Sequence, residues 1–243
     1  MAVESIFYSV SGISCRGALI WDESGKAPRP LLLIAPTWRG VSKAAIETAQ
    51  LLAPEGYVVF VADMFGEGNG PVGTEDPGAF LRPFLADTAG MRRRIAAALD
   101  TLTREADRRA VGDISRRAAI GFGFGGLNVL ELARTGADVQ AVISMHGTLV
   151  TQEPAAAAGI KAAVLAMHGA ADESAFKAER DAFEKEMRQA GARWALMSFG
   201  NLAGAVNELS AEQQGGGLDR EKAPHHAHAL AHAFIADAFA GRI

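Results

Sequence analysis

Arg117-Ala-Ala-Ile-Gly121-Phe-Gly123-Phe-Gly-Gly126-Leu-Asn-Val-Leu-Glu-Leu-Ala-Arg134 is the stretch that decides the fold. Residues 118–122 form a short apolar run that reads as a buried strand. Gly121, Gly123, Gly125 and Gly126 crowd a sharp turn. Leu127, Leu130, Leu132 and Ala133 then recur at helical spacing, and Gly136 is placed to cap the helix end. Strand, tight glycine turn and helix make the outline of a nucleophile elbow, a motif that reads G-x-S-x-G with serine or cysteine at its tip. Here Gly121 and Gly125 flank the turn and the tip is Gly123. Glycine has no side chain and cannot attack a substrate.

The same letters allow a rival. Gly121-x-Gly123-x-x-Gly126 matches the G-x-G-x-x-G dinucleotide fingerprint. That motif opens a βαβ unit whose second strand ends in an acid that holds the ribose. The next strand here, residues 139–145, ends at His146, and Asp138 precedes it. About half of the chain also lies before the glycines. The elbow is the stronger reading, and no cofactor is expected.

The 243 residues suffice for a single α/β domain over 1–243, and 49% of them are apolar. A net charge of −4 without a basic tail speaks against nucleic acid. Arg92-Arg93-Arg94, Arg108-Arg109 and Arg116-Arg117 read as solvated helix faces or ends. The one cysteine, Cys15, excludes an intrachain disulfide and reads as a buried or inert thiol. No apolar run approaches a membrane span, and residues 1–10 lack a signal-peptide pattern. A cytoplasmic protein, monomeric or homodimeric and with no membrane partner, is the expectation.

Outward from the elbow, strand and helix patterns alternate. Residues 5–10 and 18–21 read as an opening hairpin. Residues 31–35 form a continuous apolar strand, followed by the loop Pro36-Thr-Trp-Arg-Gly40. Ser42 caps a helix that Gly56 stops. Residues 57–62 form the next strand, closed by Asp63, which reads as a turn-former rather than a second acid. A long loop over 63–78 precedes helices near 79–85 and 91–110. After the elbow come strands at 139–145, 162–167 and 194–199. Residues 148–160 read as a loop, and a helix carries Phe176, Phe183 and Met187. A glycine-rich stretch over 201–217 follows, and Pro224 opens a final helix. This alternation implies a mostly parallel sheet with helices on both faces, and a site at the strands' C-terminal ends. His146 and His168 end neighbouring strands there and read first as loop anchors bonded to backbone. His225, His228 and His232 share one face of the last helix, opposite Ala227, Leu230, Phe234 and Ala238. They read as a solvated face, and no metal site is expected.

Together these segments resemble the dienelactone hydrolase family, a branch of the α/β-hydrolases. The resemblance spans about residues 6–240 and rests on Ala53-Pro-Glu-Gly-Tyr-Val-Val-Phe-Val-Ala-Asp63-Met-Phe-Gly, on Ala119-Ile-Gly-Phe-Gly-Phe-Gly-Gly126, and on Val164-Leu-Ala-Met-His-Gly-Ala-Ala-Asp172. It implies the α/β-hydrolase fold and hydrolysis of small carboxylic esters or lactones. Residue by residue, Asp172 matches the triad acid and Gly123 stands at the nucleophile. Asn207, in Gly204-Ala-Val-Asn207, stands within a residue or two of the histidine. Thr37 replaces the glutamate many members carry after the first long buried strand. The resemblance assigns the oxyanion hole to the backbone N–H groups of Phe124 and Trp38. By position, Arg82 at the edge of the long loop reads first as an exposed helix arginine and second as a partner for a substrate carboxylate, and His146 is a further substrate-binding candidate. Two functions follow: a hydrolase with weakened or altered chemistry, or a non-catalytic protein that binds a small ester, lactone or carboxylate ligand or a protein partner.

Overall fold

The computed structural model describes residues 1–24, 28–73, 76–169, 173–199 and 218–243, without the side chains of 173–176 and 218–225. The strands are β1 (Ala2–Val10), β2 (Ile13–Trp21), β3 (Arg29–Ala35), β4 (Val58–Val61), β5 (Gly112–Phe122), β6 (Ala141–Met145), β7 (Ala163–Gly169) and β8 (Arg193–Phe199). The helices are α1 (Lys43–Leu52), α2 (Pro77–Leu85), α3 (Thr88–Arg108), α4 (Phe124–Arg134), α5 (Glu173–Ala190) and α6 (Leu218–Phe239). The strands form one eight-stranded sheet in the order β1-β2-β4-β3-β5-β6-β7-β8. The chain divides into two compact units, Met1–Ala119 and Ile120–Ile243.

In the first unit, β1 and β2 form the expected hairpin, with Ala2 opposite Trp21 and Val10 opposite Ile13. Ser11 and Gly12 both take positive φ, 49° and 82°, as a two-residue hairpin loop requires. β2 runs antiparallel to β4, and β3 runs parallel to β4. Leu31–Leu33 and Val58–Val61 are almost wholly buried, which explains why these strands read as continuous apolar runs. Ser42 caps α1 by accepting the Ala45 N–H at 3.3 Å. Asp76 caps α2 through the N–H groups of Gly78 and Ala79. α3 buries Met91, Ile95, Ala98, Leu99 and Leu102, the spacing read from sequence.

In the second unit, β6, β7 and β8 are parallel, with Ala141 opposite Ala163 and Ala163 opposite Arg193. α4 and α6 pack on β6, and α6 also packs on β7. Gly136 ends α4 at φ 74°, the left-handed cap its position suggested. Phe183 and Met187 are buried, as expected of their helix face.

Three expectations are corrected. Residues 154–159 form a short 3₁₀ helix inside the segment read as loop. The last helix begins at Leu218, so Pro224 lies within it instead of opening it. Its buried stripe is Ala227, Ala231, Ile235 and Ala238, and His228 joins it at 7% exposure instead of facing solvent. The His228 ring stacks on Phe122, with centroids 5.7 Å apart, so an aromatic partner offsets the cost of burying the imidazole. No helix of the described residues is long and apolar enough to cross a membrane.

Candidate active site

The elbow lies in the second unit. β5 ends at Phe122, α4 begins at Phe124, and Gly123 joins them with φ 53° and ψ −115°. Side chains of L-residues disfavour this combination, and only glycine adopts it freely. The Gly123 N–H donates to Met145 O at 2.9 Å, and the Gly126 N–H donates to Gly123 O at 2.9 Å. The neighbouring glycines are required by close approach. A Cβ at Gly121 would lie 2.1 Å from Gly125 O, and one at Gly126 would lie 2.8 Å from Gly147 Cα. The turn is therefore locked to β6 and to the residues that follow it. Phe124 is the first residue of α4, where the helix dipole favours negative charge.

Beside the elbow, His146 takes φ 54°. Such a backbone costs a non-glycine residue about 1–3 kcal/mol. Its ring is half-buried and stands 5.1 Å, centroid to centroid, from that of His168. The two rings differ in their bonding. His168 Nε2–H donates to Gly147 O at 2.7 Å, so His168 is the backbone anchor expected of it. His146 Nδ1 is shielded from solvent and meets no hydrogen-bond partner among the described residues, so that nitrogen anchors no backbone among them. Burial, then the His146 ring, push the His168 pKa down to about 4, against a smaller upward effect of its bond to Gly147 O. Burial also lowers the His146 pKa, and Glu179 partly opposes that.

The loop after His146 is fixed from two sides. Arg134 donates to Leu149 O at 2.9 Å, and the Leu149 N–H donates to Glu179 at 3.1 Å. Arg134 itself is fully buried and binds both oxygens of Glu186, at 2.7 and 2.9 Å, and Glu131 at 3.0 Å. The sequence reading missed this network. Its members come from three separate segments, and each looks like an ordinary surface charge.

The first unit holds the other candidates. Thr37 and Trp38, after β3, are half-buried. The Thr37 hydroxyl accepts the Arg39 N–H at 3.4 Å, and Thr37 O accepts the Gly40 N–H at 3.0 Å. Trp38 lies 6.4 Å from Phe80, and Phe65, Phe80 and Phe84 form a mutual cluster with centroids 4.9–5.7 Å apart. Phe80 and Phe84 are one helical turn apart on α2, a signal the sequence offered. Arg82 is exposed on the same helix. Asp63 is the turn-former read from sequence: its carboxylate accepts the N–H groups of Arg16, Phe65 and Gly66 at 2.9–3.0 Å. Cys15 is buried, and burial followed by the charge of Asp63 pushes its thiol pKa up to about 11, despite the Arg94 guanidinium. It is therefore a protonated, unreactive thiol at neutral pH. Asp172 and Asn207 lie outside the described residues, as does the side chain of His225. Among the described residues no group of three histidine, cysteine or carboxylate side chains could hold a metal ion.

Comparison with curated proteins finds no match. Among solved structures, a dienelactone hydrolase-like promiscuous phosphotriesterase from metagenomic libraries is 30% identical, with a TM-score of 0.84 over 96% of this chain and 98% of that one. A dienelactone hydrolase from Anabaena variabilis is 19% identical, with a TM-score of 0.67 over 97% of each chain, a likeness of fold. The model of the dienelactone hydrolase family matches residues 17–238. With the elbow and the mostly parallel sheet, that match establishes that the chain has the α/β-hydrolase fold and belongs to the dienelactone hydrolase family.

Proposed function

We propose that this hydrolase-family protein keeps the backbone cradle for an ester or lactone carbonyl while lacking the triad's attacking atom and its histidine. The observation that carries this is Gly123 itself: the elbow's backbone turn is present and its tip has no side chain. Triad acyl transfer needs a nucleophile, a base and an orienting acid. By resemblance Gly123 and Asn207 remove the first two, and Asp172 has no imidazole to orient. The Phe124 N–H, at the N-terminus of α4, supports binding of a carbonyl oxygen or carboxylate. The resemblance adds Trp38 as a donor and Thr37 as a binding residue, and position adds Arg82 and His146. Hydrolysis of small carboxylic esters or lactones is then weak. In other hydrolases, removal of triad members leaves about 10³–10⁴-fold acceleration over water.

The second reading is a non-catalytic protein that binds a small carboxylate or ester, or a protein partner, as a cytoplasmic monomer or homodimer. The same substitutions support it. A turnover screen separates the two. p-Nitrophenyl acetate and a phosphotriester, chosen because one relative is described as a phosphotriesterase, are offered to wild type and to Gly123→Cys/Asn207→His. Slow ester turnover that Asp172→Ala abolishes favours the enzyme. A gain in the double variant indicates that the remaining site is competent. No gain, and no binding of a small carboxylate by wild type, rejects the cradle.

A further inference from the structure

We propose that His146 is a general base that activates water for direct attack on an ester carbonyl held at the Gly123–Phe124 turn, so that hydrolysis proceeds without an acyl-enzyme. The proposal rests on the cradle reading above and adds the group that would act there.

The first argument is position. Met145 O accepts the Gly123 N–H at 2.9 Å, and a Cβ on Gly147 would fall 2.6 Å from the carbonyl carbon of Gly126. His146 sits between these two contacts, beside the turn whose tip carries no side chain. The second is its backbone. Among the described residues, two other non-glycine residues have positive φ, Ser11 and Ala110. Ser11 is in a hairpin loop. Ala110 closes the end of α3, where its N–H donates to Asp107 O and the Val111 N–H donates to Ala106 O. Each of those turns needs the left-handed residue. His146 follows β6, its N–H donates to Met167 O at 2.8 Å, and a left-handed backbone on a non-glycine residue is a feature that clusters at functional sites. The third is the ring. His168 spends its Nε2–H on a carbonyl, whereas His146 Nδ1 meets no partner among the described residues. Among the described residues, the titratable groups that act on His146 are His168 on β7 and Glu179 on α5. Burial keeps His146 unprotonated at neutral pH, so it holds a lone pair for a proton.

The step balances. Water oxygen bonds to the acyl carbon while one water proton passes to a His146 ring nitrogen. The carbonyl pair moves onto oxygen, facing the Phe124 N–H. The pair returns, the acyl–oxygen bond breaks, and the imidazolium gives its proton to the leaving alkoxide. Ester and water become acid and alcohol, and His146 is restored.

The test uses p-nitrophenyl acetate with wild type, His146→Asn and His146→Gly. Asparagine tolerates a left-handed backbone. Wild type should show no burst and no acetylated protein by intact mass. Its acid limb should lie below the ordinary imidazole pKa. His146→Asn should lose about a hundredfold in turnover with melting temperature kept. Added imidazole should restore His146→Gly, which a merely structural role would not produce. Turnover retained in His146→Asn, or an acetylated wild type, overturns the proposal. If butyrate binds while wild type turns over no ester, the base assignment fails and the cradle stands. If butyrate does not bind either, both fail.

Discussion

Two strand ends carry a polar side chain into a turn, and they solve the problem in opposite ways. At the end of β4, Asp63 has three backbone N–H groups on its carboxylate, and Tyr8 both donates to Asp63 O and accepts the Asp63 N–H at 3.0 Å. After β6, His146 has a left-handed backbone and a shielded ring nitrogen with no bond among the described residues. A polar group whose capacity is used up by its own fold holds that fold together. One that is half-buried, in a left-handed backbone and with an unpaired nitrogen among the described residues, is the one proposed to meet a ligand. Side-chain type alone would have ranked a carboxylate and an imidazole equally.

The comparison can be broken or sharpened by mutation. The largest effect is expected at Arg134→Ala, which strands Glu186 and Glu131 and frees Leu149. Breaking a buried ionic cluster costs about 3–5 kcal/mol, read as a fall in urea midpoint. A loss below about 1 kcal/mol would mean the loop after β6 is not held by this network. Next is Asp63→Ala, which leaves three N–H groups without their acceptor and should cost about 3 kcal/mol. Full ester turnover in the folded fraction would mark Asp63 as structural.

A smaller effect depends on pH. The folded His168 pKa, about 4, lies below the unfolded value of 6.5. The unfolded chain therefore binds the extra proton between those values. The contribution is present in full above about pH 6.5 and is lost on acidification towards about pH 4, on the order of 3 kcal/mol. His168→Gln should flatten stability across that window, and an unchanged slope would refute the assignment. The smallest effect is at the elbow. Gly123→Ser imposes a side chain on φ 53°, ψ −115°, and should lower stability by about 1–2 kcal/mol. An unchanged or raised melting temperature would show that the tip stores no strain.

The elbow was legible because close-packed glycines leave a signature: Gly121 and Gly126 have no room for a methyl group. The buried strands were legible through their apolar runs. β5 begins at Gly112, six residues before the run that announced it, because its first half, with Asp113 and Arg116, is not buried. His228 was misplaced because the true stripe on α6, Ala227, Ala231, Ile235 and Ala238, is offset from the one inferred. The Arg134 network and the left-handed backbone of His146 had no local signature. One depends on charges meeting across the fold, the other on a dihedral angle that composition does not encode. Asp172 and Asn207 remain assigned by resemblance.

The interlocked glycines also bear on how this lineage can change. Gly121, Gly126 and Gly147 are sterically frozen, and the tip between them takes φ 53° and ψ −115°, a backbone that disfavours a side chain. Some glycine codons lie a single base from cysteine or serine codons. A nucleophile returning by point mutation would enter at this tip, on a turn whose flanking glycines already fix the backbone.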